Sequence, residues 1–192
     1  MKLTQLGYYY PVINQEELFD GIYANPGKIF SDERGYFYEK YNHQFLKDKN
    51  VSFVQENISK SKKGTIRGLH WQTEPNAQDK LVTCITGEIY DVAVDLRKSS
   101  KTFGQYCSLV LNEFENTSLW IPKGFAHGFQ ALTDDCIISY SVSGDFSKEG
   151  SKTINPLCPT IKIAWPIKDF ILSDNDSKAL NINELSNQEI FF

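Results

Sequence analysis

Three histidines are available for acid–base chemistry in this chain, His43, His70 and His127. His70 lies in "GTIRGLHWQTEPNAQDKLV", with Arg67 just before it and Lys80 further along the same stretch. A neutral imidazole accepts a proton near neutral pH, and nearby permanent cations favour that neutral form. A carboxylate on its other nitrogen would orient it as a general base. A lysine ammonium close by would stabilise the oxyanion that forms as the proton leaves. The set suits proton abstraction beside a ketone, with an enolate as the product. The same residues also suit a core histidine bonded to backbone, with Arg67 and Lys80 on a solvated face. Spacing alone leaves both readings open.

A metal is the second chemistry to weigh. "PKGFAH" gives Pro122-x-Gly124-x-x-His127, which echoes one half-motif of metal-binding cupins. The other half-motif needs a second histidine two positions after His70, and Gln72 stands there. A neutral amide is a poor replacement for imidazole at a transition metal, so no metal is expected. The four cysteines, Cys84, Cys107, Cys136 and Cys158, form no CxxC pair and sit in apolar runs, as buried free thiols do. Tyr140, in "IISYSV", reads on its own as a core tyrosine with a satisfied hydroxyl. His127 reads as a strand-end residue beside a turn, and His43 as a surface residue.

Composition excludes other classes. The net charge of −4 leaves no basic footprint for nucleic acid or an anionic membrane. No apolar run approaches the ~18 residues of a membrane span. The first residues lack the apolar core and cleavage site of a signal peptide, so a cytoplasmic location is expected.

The elements that must position these residues read as strands. Aromatic residues reach 14%, with 13 Phe and 10 Tyr, a bias that fits pleated, half-buried surfaces. "YANPG" signals a turn, and "KIFSDERGYFYEKYN" reads as strand, turn, strand. "NHQFLKDKN" (42–50) is the clearest helix candidate, with Asn42 as its N-cap. Beyond it come "VSFVQENIS", "GTIRGLHWQ", "KLVTCITGEIYDVAVDLR", "GQYCSLVL", "TSLWIP", "GFAHGFQALT" and "CIISYSVSG", short apolar runs separated mostly by Gly, Pro, Asn or Asp. In "IYDVAVDLR", Ile89, Asp91, Ala93 and Asp95 oppose Tyr90, Val92, Val94 and Leu96. So many strands without an intervening amphipathic helix predict an antiparallel sandwich or barrel. Ser173 and Asp174 are placed to cap a terminal helix through "DSKALNINEL". With no repeat or linker, residues 1–192 are expected to form a single domain.

These residues also carry a resemblance. The order Phe30-x-Asp32-x-Arg34-Gly35-x-Phe37-x-Glu39, then "VQENIS", "RGLHWQ", Gln78 and Lys80, resembles the dTDP-4-dehydrorhamnose 3,5-epimerase family. It continues through "GEIYDVAVDLR", "SSKTFGQ", "IPKGFAHGF", Tyr140, "IAWP" and "ILSDNDSKA", covering residues 20 to 180. The resemblance implies an all-β, cupin-type jelly roll with short peripheral helices and a C-terminal helical segment. It implies a homodimer that works without metal or other cofactor. The implied reaction is epimerisation at C3 and C5 of dTDP-4-keto-6-deoxy-glucose through enolates, on the route to dTDP-L-rhamnose for polysaccharide synthesis.

Carried over by position, the resemblance makes His70 the general base and Asp176 the carboxylate paired with it, with Asp174 the less apt partner. Lys80 becomes the cation at the enolate oxygen, and Tyr140 the acid that returns a proton from the opposite face of the ring. Arg67, Gln55, Asn57 and His127 fall on positions contacting sugar and pyrophosphate. Arg34, Phe37 and Glu39, with Phe30 beside them, fall where the family holds the nucleotide, in some members across the dimer interface.

The stretch "SYSVSGDFSKEGSKTINP" departs from the pattern. A second tyrosine is usual six residues beyond the first, and Phe146 stands there. The change leaves three readings: action at both carbons with Tyr140 alone, action at C3 or C5 only, or a different 4-keto sugar nucleotide. A non-catalytic sugar-nucleotide-binding cupin is the alternative from another class. "NISKS" also replaces the usual "NHSRS", removing a histidine at the pocket edge.

Overall fold

The computed structural model describes residues 2, 3, 9, 10, 19, 21–27, 29–42, 46, 47 and 49–191. Among them, two five-stranded antiparallel sheets face each other. The first runs β10 (Tyr106–Asn112), β9 (Glu88–Asp95), β12 (Phe125–Ala131), β7 (Ile66–Gln72) and β14 (Ser151–Thr153). The second runs β3 (Tyr23–Pro26), β11 (Thr117–Ile121), β8 (Lys80–Thr86), β13 (Cys136–Val142) and β6 (Gln55–Ser61). Outside them lie the short pair β1 (Lys2–Leu3) with β2 (Tyr9–Tyr10) and the hairpin β4 (Ile29–Asp32) with β5 (Gly35–Tyr38). No helix of the described residues is long and apolar enough to cross a membrane.

Each of the seven apolar runs from Val51 onward contributes a strand, the first of them only from Gln55, because short runs rich in β-branched and aromatic residues between turn residues favour extended pairing. β9 shows why. All eight of its residues are buried, and they divide by parity. Ile89 and Ala93 join the core between the sheets with Phe125, Phe129 and Leu119. Tyr90, Val92, Val94 and Leu96 join a second core on the outer face, under Trp165, Ile161 and Ile182 of the C-terminal segment. A strand covered on both faces loses the hydrophobic-in, polar-out signature, so the acidic residues within it become informative.

"YANPG" is more than a turn. Tyr23–Pro26 pairs with β11 as an edge strand, and Pro26 closes it at the end, where a missing N–H does least harm. The tail also departs from the expected helix. It forms one α turn, α1 (Asp174–Ser177), capped by Ser173, and then a separate 3-10 turn over Ile182–Glu184. Between them Leu180 bridges to Ile154, and that extended pairing interrupts the helix. The candidate helix over 42–50 is helical at 46, 47 and 49, and its remaining interior, including His43, lies outside the described residues.

One irregularity decides the site. Arg67 and His70 would face opposite sides of a regular strand, because side chains alternate. Here Phe129 pairs with Arg67 and His127 with His70, so β7 carries one extra residue against β12. That bulge resets the parity and turns both side chains to the same cavity. Gly68 makes the bulge, at φ +131°. A Cβ there would lie 2.6 Å from the Gly128 Cα and 2.9 Å from the His127 carbonyl oxygen, so no other residue fits without moving backbone.

Candidate active site

Between the sheets, at the end away from Cys84 and Cys136, is an open cavity of about 860 Å³. That is ample for a sugar nucleotide by the usual size of small-molecule sites. His70, Arg67, His127 and Asp176 line it from the first sheet and the tail, and Lys80, Tyr140, Gln55 and Asn57 from the second sheet. Phe146 lines its mouth and is 65% exposed.

His70 Nε2 lies 2.7 Å from Asp176 Oδ1, across 106 positions of sequence. Several contacts deliver that carboxylate. Ile66 N–H donates to the Ile171 carbonyl and Ile171 N–H to the Gly64 carbonyl, tying the tail to the start of β7. Ser173 Oγ then accepts from the Asp176 amide, and the Asp176 side chain is buried. Burial pushes this carboxyl up, but hydrogen bonds from His70, Ser173 and Gly68 outweigh it and hold the group below its ordinary value. An ionised Asp176 can only accept, so the proton sits on Nε2 and Nδ1 carries the lone pair. His70 is half-exposed toward the cavity and offers a base there.

Lys80 is buried, and its Nζ donates to the His70 carbonyl oxygen at 3.1 Å, crossing from one sheet to the other. Burial pushes its ammonium down to about 8, with the Asp91 charge opposing. Tyr140 sits opposite Asn57 and Val82 in the second sheet, and burial pushes its phenol up, with Arg67 opposing. It is therefore a neutral hydroxyl, a proton donor, at ordinary pH. Base and acid come from facing sheets.

His127 is interior to β12 and buried, not a strand-end residue beside a turn. Its Nε2 contacts both oxygens of Asp91, at 3.1 and 3.0 Å. Asp91 is fully buried, and the motif reading gave it no role. Its signal is a carboxylate in mid-strand, at an inward position between Tyr90 and Val92. Arg67 donates to Ser61 Oγ at 3.0 Å and to the Lys60 carbonyl, and Gln55 donates to Asn57 Oδ1 at 2.6 Å. Arg67 is exposed along the cavity wall, while Lys80 is not on a solvated face at all.

Four expected residues stay apart from this cavity within one chain. Phe30 and Phe37 are 50% and 67% exposed on the β4–β5 hairpin, with ring centroids 6.3 Å apart. Arg34 is bound to Asp32 at 2.6 Å, and Glu39 accepts from Asn42 at 2.7 Å. Gln72 lines the cavity, but its amide is taken up by the backbone of neighbouring loops. Among the described residues, no three His, Cys, Asp or Glu side chains converge as a metal-ligand set. Cys84, Cys136 and Cys158 are buried free thiols, and Cys107 is half-buried.

The comparison with known proteins agrees with this geometry. The family model described as dTDP-4-dehydrorhamnose 3,5-epimerase matches residues 16–184. The Shigella flexneri enzyme of that name is 47% identical over 163 residues, which is 83% of this chain and 90% of the relative. The dTDP-6-deoxy-D-glucose-3,5-epimerase of Legionella pneumophila, solved with dTDP-4-keto-L-rhamnose, superposes with a TM-score of 0.87 at 36% identity. It covers 91% of this chain and 95% of its own. A 3'-monoepimerase from Streptomyces bikiniensis, solved with dTDP-quinovose, superposes with a TM-score of 0.81 at 31% identity, covering 85% and 84%. Two facing sheets, a tail that returns a carboxylate to a histidine, and matches over most of the chain leave one assignment: the chain belongs to the dTDP-4-dehydrorhamnose 3,5-epimerase family.

Proposed function

We propose that this chain inverts C3 and C5 of dTDP-4-keto-6-deoxy-glucose, forming dTDP-4-keto-L-rhamnose. The observation that carries the proposal is the His70–Asp176 pair facing Tyr140 across one cavity, with Lys80 lining it. His70 Nδ1 removes the proton from a carbon next to the ketone, and Asp176 stabilises the imidazolium that results. The electrons move onto the ketone oxygen, where the Lys80 ammonium stabilises the enolate. Tyr140 then donates its proton to the carbon from the other side, inverting it. An acid on the same face as the base would only restore the starting sugar. Arg67, Gln55, Asn57 and His127 hold sugar and diphosphate, with Arg67 supplying a planar fork for phosphate oxygens. The chemistry uses protein groups alone and needs no cofactor.

The test is incubation with dTDP-4-keto-6-deoxy-glucose in D₂O, read by proton NMR. The expected result is solvent deuterium at both C3 and C5 with inversion. Exchange at one carbon would establish a mono-epimerase, one of the readings that Phe146 leaves open. No exchange at either carbon in folded protein would sink the enzymatic reading and leave a binding module.

A second expectation follows from Lys80. Its value of about 8 places the loss of the ammonium within reach of ordinary assays. The cation is the active form, so kcat/KM falls above pH 8, by about tenfold per unit once the group is deprotonated. A pH–rate profile that stays flat well above that value would remove Lys80 from the mechanism.

We also read residues 1–192 as one cupin domain that acts in the cytoplasm as a homodimer. The exposed aromatic faces of Phe30, Tyr36 and Phe37 support the dimer, since apolar surface of that kind is usually covered. In a dimer, Arg34, Phe37 and Glu39 would reach the nucleotide of the partner's site.

A further inference from the structure

The loop between β13 and β14 carries Phe146 at the cavity mouth, and what holds it there is unusual. The ring is 65% exposed, so its own packing does little to fix it. The backbone on either side is tied to β7 by one side chain. Gln72 Oε1 accepts from Ser147 N–H at 2.6 Å, and its Nε2 donates to the Asp145 carbonyl at 3.0 Å. The same Nε2 lies 3.4 Å from the Asn76 carbonyl. Both polarities of the amide are in use, one on each flank of Phe146. Gln72 is only 5% exposed, so these bonds form away from competing water.

The clamp has a fixed base. Gln72 lies two positions beyond His70 on β7, and alternation puts the two side chains on the same face. The loop is tied further at its ends. Gln78 donates to the Gly144 carbonyl at 2.7 Å, and Thr73 N–H donates to the Gly150 carbonyl at 3.0 Å. Gly144 packs so closely that a Cβ there would lie 3.2 Å from the Ala77 and Asn76 carbonyl oxygens. Ser147 also accepts from Gly150 N–H at its hydroxyl, at 3.1 Å, and from Ser151 N–H at its carbonyl, at 3.0 Å, but both bonds stay within the loop, and Gln72 is what ties residues 145 and 147 to β7.

We propose that Gln72 is a positioning residue: it couples the strand bearing His70 to the loop bearing Phe146, holding that ring as a preformed wall of the substrate site. The proposal rests on reading the cavity as the sugar-nucleotide site. A preformed wall costs no ordering on binding, so its loss appears in affinity more than in the chemical step. Gln72→Glu is the sharpest variant. It keeps length and the acceptor for Ser147 N–H, but sets a carboxylate oxygen against the Asp145 carbonyl. Gln72→Ala removes both bonds and serves as the second variant.

Amide hydrogen exchange of residues 144–150 is read first, because it needs no substrate. Protection there is expected to fall by about tenfold in both variants, while strands β8 and β12 keep theirs. KM is then expected to rise by about tenfold, with kcat within about twofold of the parent. Unchanged protection in the loop overturns the proposal, whether or not the protein turns substrate over. So does a variant in which kcat falls with the melting temperature while KM stays constant, since that marks a merely structural glutamine. If the unmodified protein lacks epimerase activity but the loop loosens as described, the catalytic reading fails and the coupling of strand to loop stands.

Discussion

Asp176→Asn is expected to lower kcat by about four orders of magnitude while the chain still folds and still binds dTDP. The reason lies in which atoms face each other. Asp176 Oδ1 meets His70 Nε2 at 2.7 Å, and Oδ2 faces the Gly68 N–H at 3.5 Å. An asparagine keeps its oxygen toward the Gly68 donor, which turns its NH₂ toward His70. The imidazole must then accept at Nε2 and carry its proton on Nδ1, the atom that faces the substrate. The base is lost by tautomer, not by position. The imidazolium formed in the reaction also loses its counter-charge. His70→Ala is expected to match this loss, and the double variant to cost little more than either single one, because the two act as a unit. The measurement is single-turnover epimerisation beside a dTDP binding isotherm. Retained turnover in Asp176→Asn would show that the pair is structural.

Much of this site is legible in the residues themselves, and what is not has physical causes. His70, Lys80 and Tyr140 stand out as polar groups in apolar runs, but the same pattern suits a core histidine, a solvated lysine and a core tyrosine, and the resemblance to the family is what gives them catalytic roles. Asp176 does not stand out, since an aspartate in "SDND" looks like a cap and lies 106 positions from its partner. Only the resemblance to the family paired the two. Arg67 was the harder case, because strict alternation puts it on the opposite face from His70. Nothing in "IRGLHWQ" reveals that Gly68 adds a residue to the strand; that depends on the close approach of Gly128 from β12. Asp91 was visible as an inward position in "IYDVAVDLR" but had no partner until the sheet order set β12 beside β9. Gln72 stands in the sequence only as a missing metal ligand. Its hydrogen bonds reach Asp145 and Ser147, 73 and 75 positions away, and no local pattern encodes such contacts. The tail misled for a related reason. Local capping by Ser173 favours a helix, and the pairing of Leu180 with Ile154 stops it after one turn.

Tyr140→Phe separates the two halves of the reaction. The base half is intact in this variant: His70 keeps Asp176, and Lys80 keeps its bond to the His70 carbonyl. Proton removal therefore continues, and the enolate still forms. What is missing is a donor on the opposite sheet, because phenylalanine fills the same volume without the hydroxyl. The imidazolium of His70 is then the nearest acid, and it returns its proton to the face from which it came. In D₂O that imidazolium exchanges with solvent before it does so. Deuterium is thus expected to enter the sugar with its configuration retained, while inverted product falls by roughly a hundredfold or more, the usual range for losing a general acid. The ratio of exchange to inversion is the decisive quantity, because it does not depend on how much enzyme is folded. A parallel fall in both would make Tyr140 a positioning group. Undiminished inversion would assign the proton to another donor or to water. The neutral state of Tyr140, raised by burial, is what makes the first outcome the expected one, since an ionised phenol would have no proton to give.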